Sequence, residues 1–280
     1  MSNQVEHEFI HTLNRHGYSF QFAVLNKAKH LSESGASAFD FEVSEFPVQV
    51  RGTSTRIDFV LRKRDSPLRL VAECKRANPA LSNWCFARAP VVRHDRSVER
   101  PSLDRLFRDR GQIFYVQQST GYLADNAYHL AFEVKSQSKG EASSSRTSIE
   151  DAATQVCRGS NGLIEFYLRD VGLLKDINEV WFLPVIFTTA KLWVSGADLS
   201  ETDISSGELD ISSAKLEPAP WLLYQYHISP GIKHQTRYEP KTADLGEALD
   251  KEFVRTIAVV APEGIEPFLT WASHLKAGAA

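Results

Sequence analysis

Residues 56–76 read RIDFVLRKRDSPLRLVAECKR, and their pattern governs the reading of everything around them. RIDFVL (56–61) has the β-branched and aromatic content of a strand, RKRDSP (62–67) is a polar turn ending in proline, and LRLVAEC (68–74) is a second strand, apolar enough to lie inside a sheet. Side chains at i and i+2 of a strand share a face, so Glu73 and Lys75 project together while Cys74 points the other way, toward the core. A hairpin partner sets Asp58 beside Glu73. Two carboxylates and a lysine are thereby expected at one place.

Upstream, Val5, Phe9 and Leu13 recur at helical spacing until His16-Gly17, and Phe20, Val24, Ala28 and Leu31 continue it to the Ser-rich turn 32–37. FEVSEFPVQV (41–50) then reads as extended, and Gly52-Thr53 punctuates it. Two helices therefore precede a three-stranded meander. Downstream, Asn78-Pro79, Ala89-Pro90 and Arg100-Pro101 interrupt any long element. A helix is expected over 103–115, a strand over 128–134 and a loop over 136–148. A helix capped by Thr147 or Ser148, with Glu150 and Asp151 in its first turn, is expected to run to about residue 169. The most apolar run, EVWFLPVIFTTAKLWV (179–194), supplies a buried strand and its continuation. A polar connection (195–220), strands at 221–227 and 255–261 and a helix over 263–275 complete the chain. No internal repeat or clear linker is present.

The 280 residues are 42% hydrophobic and 24% charged, a globular composition that excludes disordered, collagen-like and disulfide-scaffold classes. No apolar run reaches membrane-span length, and the start lacks a signal-peptide core, so no membrane partner is expected. Three cysteines without zinc spacing read as reduced thiols, which points to a cytoplasmic protein. The net charge of −3 conceals an asymmetry: residues 51–110 carry 15 Lys+Arg against 7 Asp+Glu. That stretch suits an anionic partner.

Paired carboxylates suit a hard cation such as Mg²⁺, with Mn²⁺ as a substitute, because it takes one or two carboxylates and fills its remaining positions with water and phosphate oxygens. The Cys74 carbonyl is a further candidate oxygen ligand. Lys75 can stabilise charge building on a phosphoryl group, and Arg76 follows in a position suited to a phosphate.

This constellation resembles the PD-(D/E)xK nuclease superfamily, on the opening helix, on Asp58 in RIDFVL, and on Glu73 and Lys75 in LRLVAECKR. In this chain Ile57 stands where many relatives have proline before the aspartate. The resemblance implies an α/β fold with a restriction-endonuclease-like core, a mixed central sheet flanked by helices. That core spans about 5–75 and 148–194 of a single domain, with an insertion at 77–147 and a C-terminal extension at 195–280. It implies a metal-dependent nuclease, acting on DNA more readily than RNA in restriction, repair or defence, with Asp58 and Glu73 as metal ligands and Lys75 as the catalytic lysine. Glu6, on the first helix, matches the acid that many relatives place there near the metal. Gln155, with Arg158 one turn on, matches a glutamine some relatives place near the active site. Cutting both strands would favour a homodimer. The competing class is a catalytically inactive nucleic-acid-binding or assembly module of the same fold.

Further candidates surround this core. Arg88, Arg93, Arg96, Arg100, Arg105, Arg108 and Arg110, with Trp84, Phe86 and Phe107 among them, are available for phosphate contacts and stacking or packing; Arg76, Arg88, Arg93 and Arg96 are the chosen nucleic-acid contacts. A second E-x-K, Glu133-Val134-Lys135 with Asp125 upstream, is an alternative site. His7 and His11 stand at i, i+4 in the H-E-x-x-H order but have no third ligand nearby in the sequence, and no P-loop, dinucleotide or nucleophile-elbow motif appears.

Overall fold

The computed structural model describes residues 2–89, 101–120, 124–135, 148–169, 178–232 and 252–275. Helices α1 (Ser2–Arg15) and α2 (Tyr18–Glu33) lead into an antiparallel meander of β1 (Phe39–Val50), β2 (Thr53–Lys63) and β3 (Leu68–Lys75). The β1–β2 turn is two residues long, with Arg51 at φ 48 and Gly52 at φ 80. This is the doubly left-handed hairpin turn whose twist matches that of its strands. Next come β4 (Asn83–Ala87), β5 (Ser102–Asp109), β6 (Gln112–Ser119), β7 (Ala127–Tyr128) and β8 (Leu130–Val134). Helix α3 (Ser148–Arg169) precedes β9 (Glu179–Thr188) and β10 (Lys191–Ser195), and β11 (Leu216–Pro218), β12 (Trp221–His227), β13 (Val254–Val260) and α4 (Ile265–Ser273) close the fold.

The result is a mixed α/β architecture with a large mixed sheet flanked by helices. Its main path is β1-β2-β3-β9-β13-β12-β7, with the β5–β6 hairpin joined to β9. Strand β9 is buried almost throughout, runs parallel to β3 over its length, and divides its other edge between two partners. Antiparallel β5 takes residues 179–182 and parallel β13 takes 185–187. Pro184, which has no N–H to donate, falls in the gap between them, so an interior strand tolerates it. A smaller sheet, β11-β10-β4-β8, lies beside the first.

Burial separates the two faces. Val24, Ala28 and Leu31 of α2 and Phe268, Leu269 and Ala272 of α4 cover Phe59, Leu61, Leu70 and Ala72 on one side. Helix α3 covers the other, packing Leu163 and Ile164 on Val60 and Val71, and Ile149, Ala153 and Val156 on Ile186, Ile257 and the small-sheet side chains Trp84 and Phe86. Residues of the expected insertion and extension contribute strands both to the large sheet that holds the meander and to the small one.

Four expectations need correction. The helix expected over 103–115 is the β5–β6 hairpin, because Arg110 (φ 46) and Gly111 (φ 81) repeat the Arg-Gly turn of residues 51–52. The strand expected over 128–134 is divided between the two sheets as β7 and β8. The apolar run 179–194 breaks at 189–190, where Thr188 Oγ1 accepts from the Ala190 N–H at 3.1 Å, and continues as β10 in the small sheet. The apolar stripe of α1 is exposed at Val5, Phe9 and Ile10 instead of packing on the sheet, so α2 is the helix that covers the meander.

Candidate active site

The site forms where the meander loses its regularity. Strands β2 and β3 pair from Arg62↔Arg69 to Phe59↔Ala72, and one step on, Asp58 comes opposite Glu73. There a side chain replaces the ladder: the Cys74 N–H donates to Asp58 Oδ2 at 2.6 Å. On the other side of Asp58, β1 keeps its register from Ser44↔Phe59 to Phe46↔Ile57, but Glu45 between them does not pair with Asp58. Glu45 has φ 53, a left-handed conformation costing an L-residue about 1–2 kcal/mol. The faces switch at the same level. Phe59 and Leu61 enter the α2-side core, whereas Ile57, two residues back, joins Val60 and Val71 on the α3 side. Asp58 sits at that switch.

Strand β3 keeps its alternation through the site. Cys74 packs against the α2-side core, and Glu73 and Lys75 follow Val71 toward α3. Lys75 Nζ donates to Gln155 Oε1 at 3.4 Å, so the structure brings together Asp58, Glu73, Lys75 and Gln155. They line an open cleft of about 660 Å³ together with His16, Tyr18, Gln21, Glu45, Arg56, Cys74 and Arg76.

Burial raises the pKa of Glu73, the neighbouring Asp58 charge raises it further, and Lys75 opposes both. Asp58 is raised first by burial and then by Glu45, against the Cys74 N–H and Lys75. Burial also pushes the Cys74 thiol well up, which removes it as a nucleophile. Among the described residues none donates a hydrogen bond to the Glu73 carboxylate. Two partly desolvated carboxylates, each with an oxygen left without a donor among the described residues, suit a hard cation with open positions. Among the described residues no three His, Cys, Asp or Glu side chains converge as a ready-made metal cage, so the donor set is these two carboxylates with the Cys74 carbonyl beside them.

Among the cleft residues that escape the sequence reading, Gln21, Glu45 and Arg56 form one hydrogen-bonded set. Gln21 donates from Nε2 to Glu45 Oε1 at 2.7 Å and to the Asp58 carbonyl at 3.1 Å. Arg56 Nη1 donates to Glu45 Oε2 at 2.9 Å. Gln21 carried a signal, as a polar residue one turn before Val24 in the buried stripe of α2. Glu45 carried none.

Other predicted residues lie elsewhere or do different work. Glu6 is exposed on α1 and does not line the cleft, because the face of α1 that it was expected to border is not buried. Arg76 reaches the cleft wall while its Nη1 donates to the Asn14 carbonyl at 2.7 Å, tying the C-terminal end of α1 to β3. Arg88 donates to the Asp125 carbonyl and lies 5.5 Å over the Tyr128 ring, in a separate hollow against β10 and β11. Arg93 and Arg96 fall outside the described residues. The alternative Glu133 accepts from the N–H of Ser148 at 2.9 Å and from its hydroxyl, at the first residue of α3. The basic stretch is also less basic in space than in sequence. Arg64 pairs with Asp40, Arg69 with Glu42, Arg56 with Glu45 and Arg105 with Glu179, all acids from outside residues 51–110.

Comparison with protein-family models, curated proteins and solved structures returns no match. Among the described residues no helix is long and apolar enough to cross a membrane.

Proposed function

We propose that the cleft hydrolyses phosphoric diesters with the help of a divalent cation. Within that class the reading is a nuclease, acting on DNA in preference to RNA. The observation that carries it is the pair of half-buried carboxylates, Asp58 and Glu73, at the splayed end of β2–β3 with Lys75 on the same face. The order of elements, a helix, a three-stranded meander, a helix and a strand parallel to the third, supports the resemblance to restriction-endonuclease-like nucleases.

Asp58, Glu73 and the Cys74 carbonyl would hold Mg²⁺, or Mn²⁺ in its place, which when bound supplies Lewis-acid polarisation of a phosphoryl oxygen and an acidified water. Every other part falls to the chain itself. The Cys74 N–H fixes one oxygen of Asp58 and leaves the other to the cleft. Gln155 holds Lys75, whose ammonium orients the attacking water and balances charge growing on the phosphoryl oxygens. Arg56 and Arg76 line the same cleft and offer guanidinium forks to flanking phosphates. The three free cysteines suit a reducing, cytoplasmic setting, and cutting of both strands would call for a second copy of the chain.

The test is cleavage of duplex and single-stranded DNA and RNA with Mg²⁺, Mn²⁺ or chelator, comparing wild type with Glu73→Ala and Lys75→Ala. Metal-dependent cleavage abolished by either substitution supports the reading. Cleavage that survives both removes this site. Salt-dependent DNA binding without cleavage by the wild type would instead identify an inactive binding module.

A further inference from the structure

Glu45 is the cleft residue that folding alone explains least. Nothing in a glutamate favours φ 53, and such backbone outliers persist where surroundings impose them, most often at functional sites. Two side chains impose this one, and they differ in kind. Gln21 is 4% exposed and spends its amide on Glu45 Oε1 and the Asp58 carbonyl. Arg56 holds Glu45 Oε2 from a side chain that is 60% exposed, against 32% for the glutamate. One carboxylate oxygen is clamped from inside the protein. The other is held by a surface cation on the wall of the cleft.

That surface contact is the replaceable one. An exposed arginine–carboxylate pair is weakly held, and a guanidinium matches a phosphate in the same bidentate way. We propose that Arg56 and Glu45 form a substrate-operated latch: a backbone phosphate draws Arg56 away, and the released Glu45 Oε2 joins Asp58 and Glu73 as an oxygen donor toward the cation. The inference rests on the nuclease reading and adds its regulation. Without substrate only two carboxylates are available; with it a third is. Gln21 keeps the third oriented throughout and is a positioning residue. By linkage, DNA then raises cation affinity and the cation raises DNA affinity by the same factor.

The test measures Mn²⁺ binding by the intact protein, from the electron paramagnetic resonance signal of free Mn²⁺, with and without a short DNA duplex carrying phosphorothioate linkages. Wild type should gain cation affinity on the order of tenfold with duplex. Arg56→Gln should bind Mn²⁺ more tightly than wild type without duplex and gain less on adding it. Glu45→Gln should bind no more tightly than wild type and also gain less, and the double variant should behave like Glu45→Gln. A merely structural arginine would not raise affinity when removed. Unchanged or weakened duplex-free affinity in Arg56→Gln overturns the latch, as does a full duplex-dependent gain in Glu45→Gln, which reports on the latch even if Arg56→Gln fails to fold. If Asp58→Asn and Glu73→Gln leave Mn²⁺ binding intact, the nuclease reading itself falls. A latch that fails while those two variants lose Mn²⁺ leaves the nuclease reading standing.

Discussion

The tripeptide Glu-x-Lys occurs twice in this chain, and its two copies have opposite fates. Glu73 lies late in β3, an interior strand, facing α3 from beside Asp58, with no donor among the described residues and burial pressing it toward the neutral form. Glu133 lies in β8, the edge strand of the small sheet, and spends its carboxylate on the backbone N–H and hydroxyl of Ser148. One carboxylate is desolvated and under-bonded, the other is satisfied. Reactive potential follows from that difference in partners, since a partly buried polar group without them is costly unless something binds it.

The largest separation should appear in cleavage. Glu73→Gln is expected to lower the cleavage rate by about a thousandfold or more, while Glu133→Gln stays within a few-fold of wild type; both are read from initial rates on duplex DNA at saturating Mg²⁺. Lys75→Ala should cost about a hundredfold to a thousandfold in the same assay, and Lys135→Ala should cost nothing measurable.

The next effect is on stability in the absence of metal. The pKa values of Asp58 and Glu73 are raised in the folded protein. Above the ordinary carboxylate range, about pH 4, the unfolded chain therefore loses protons that the folded one keeps. Stability must fall as pH rises from there toward neutrality. Denaturant melts in chelator should show that slope, and Glu73→Gln should flatten it while melting later than wild type at neutral pH. A slope unchanged in Glu73→Gln would show that Glu73 is not strained by burial.

Smaller effects concern α3, whose Gln155 holds Lys75 and whose Ser148 holds Glu133. A Cβ at Gly162 would lie 2.6 Å from Val48 Cβ, so Gly162→Ala must push α3 away from β1. Overpacking of about 1–3 kcal/mol outweighs a helix-propensity gain of about 1 kcal/mol, and chemical melts should show a net loss. Because Gln155 lies two turns earlier on the same helical stripe, cleavage should also drop. At the N-terminal end of α3, Ser148→Ala or Glu133→Gln should cost about 1 kcal/mol of stability, the worth of a helix cap, with cleavage retained.

How much of this was legible differs from residue to residue. Asp58, Glu73 and Lys75 were found from a hairpin-length turn and the two-residue period of a strand, both local properties of consecutive residues. The meander, α3 and β9 were legible for the same reason. The β5–β6 hairpin was not, because Leu103, Leu106 and Phe107 fit a helical stripe as well as a strand, and the Arg-Gly turn that separates the strands is a weak signal. Arg76, expected at a phosphate, also ties down α1, and Arg88 stacks on a tyrosine in a different hollow.

The site's second half is non-local in origin. Glu45 enters the cleft only because β1 takes a left-handed residue opposite Asp58, which no residue type at that position announces. Gln21 and Arg56 matter only through Glu45. The basic stretch tells the same story: its charge is countable along the chain, but strand register brings Asp40, Glu42 and Glu45 of β1 against its arginines. Strand period and turn length belong to neighbours in sequence and can be read there. Which acid meets which base, and which carboxylate is left without a partner, depends on the register and splay of strands and on the helices laid across them. Those belong to the folded molecule alone.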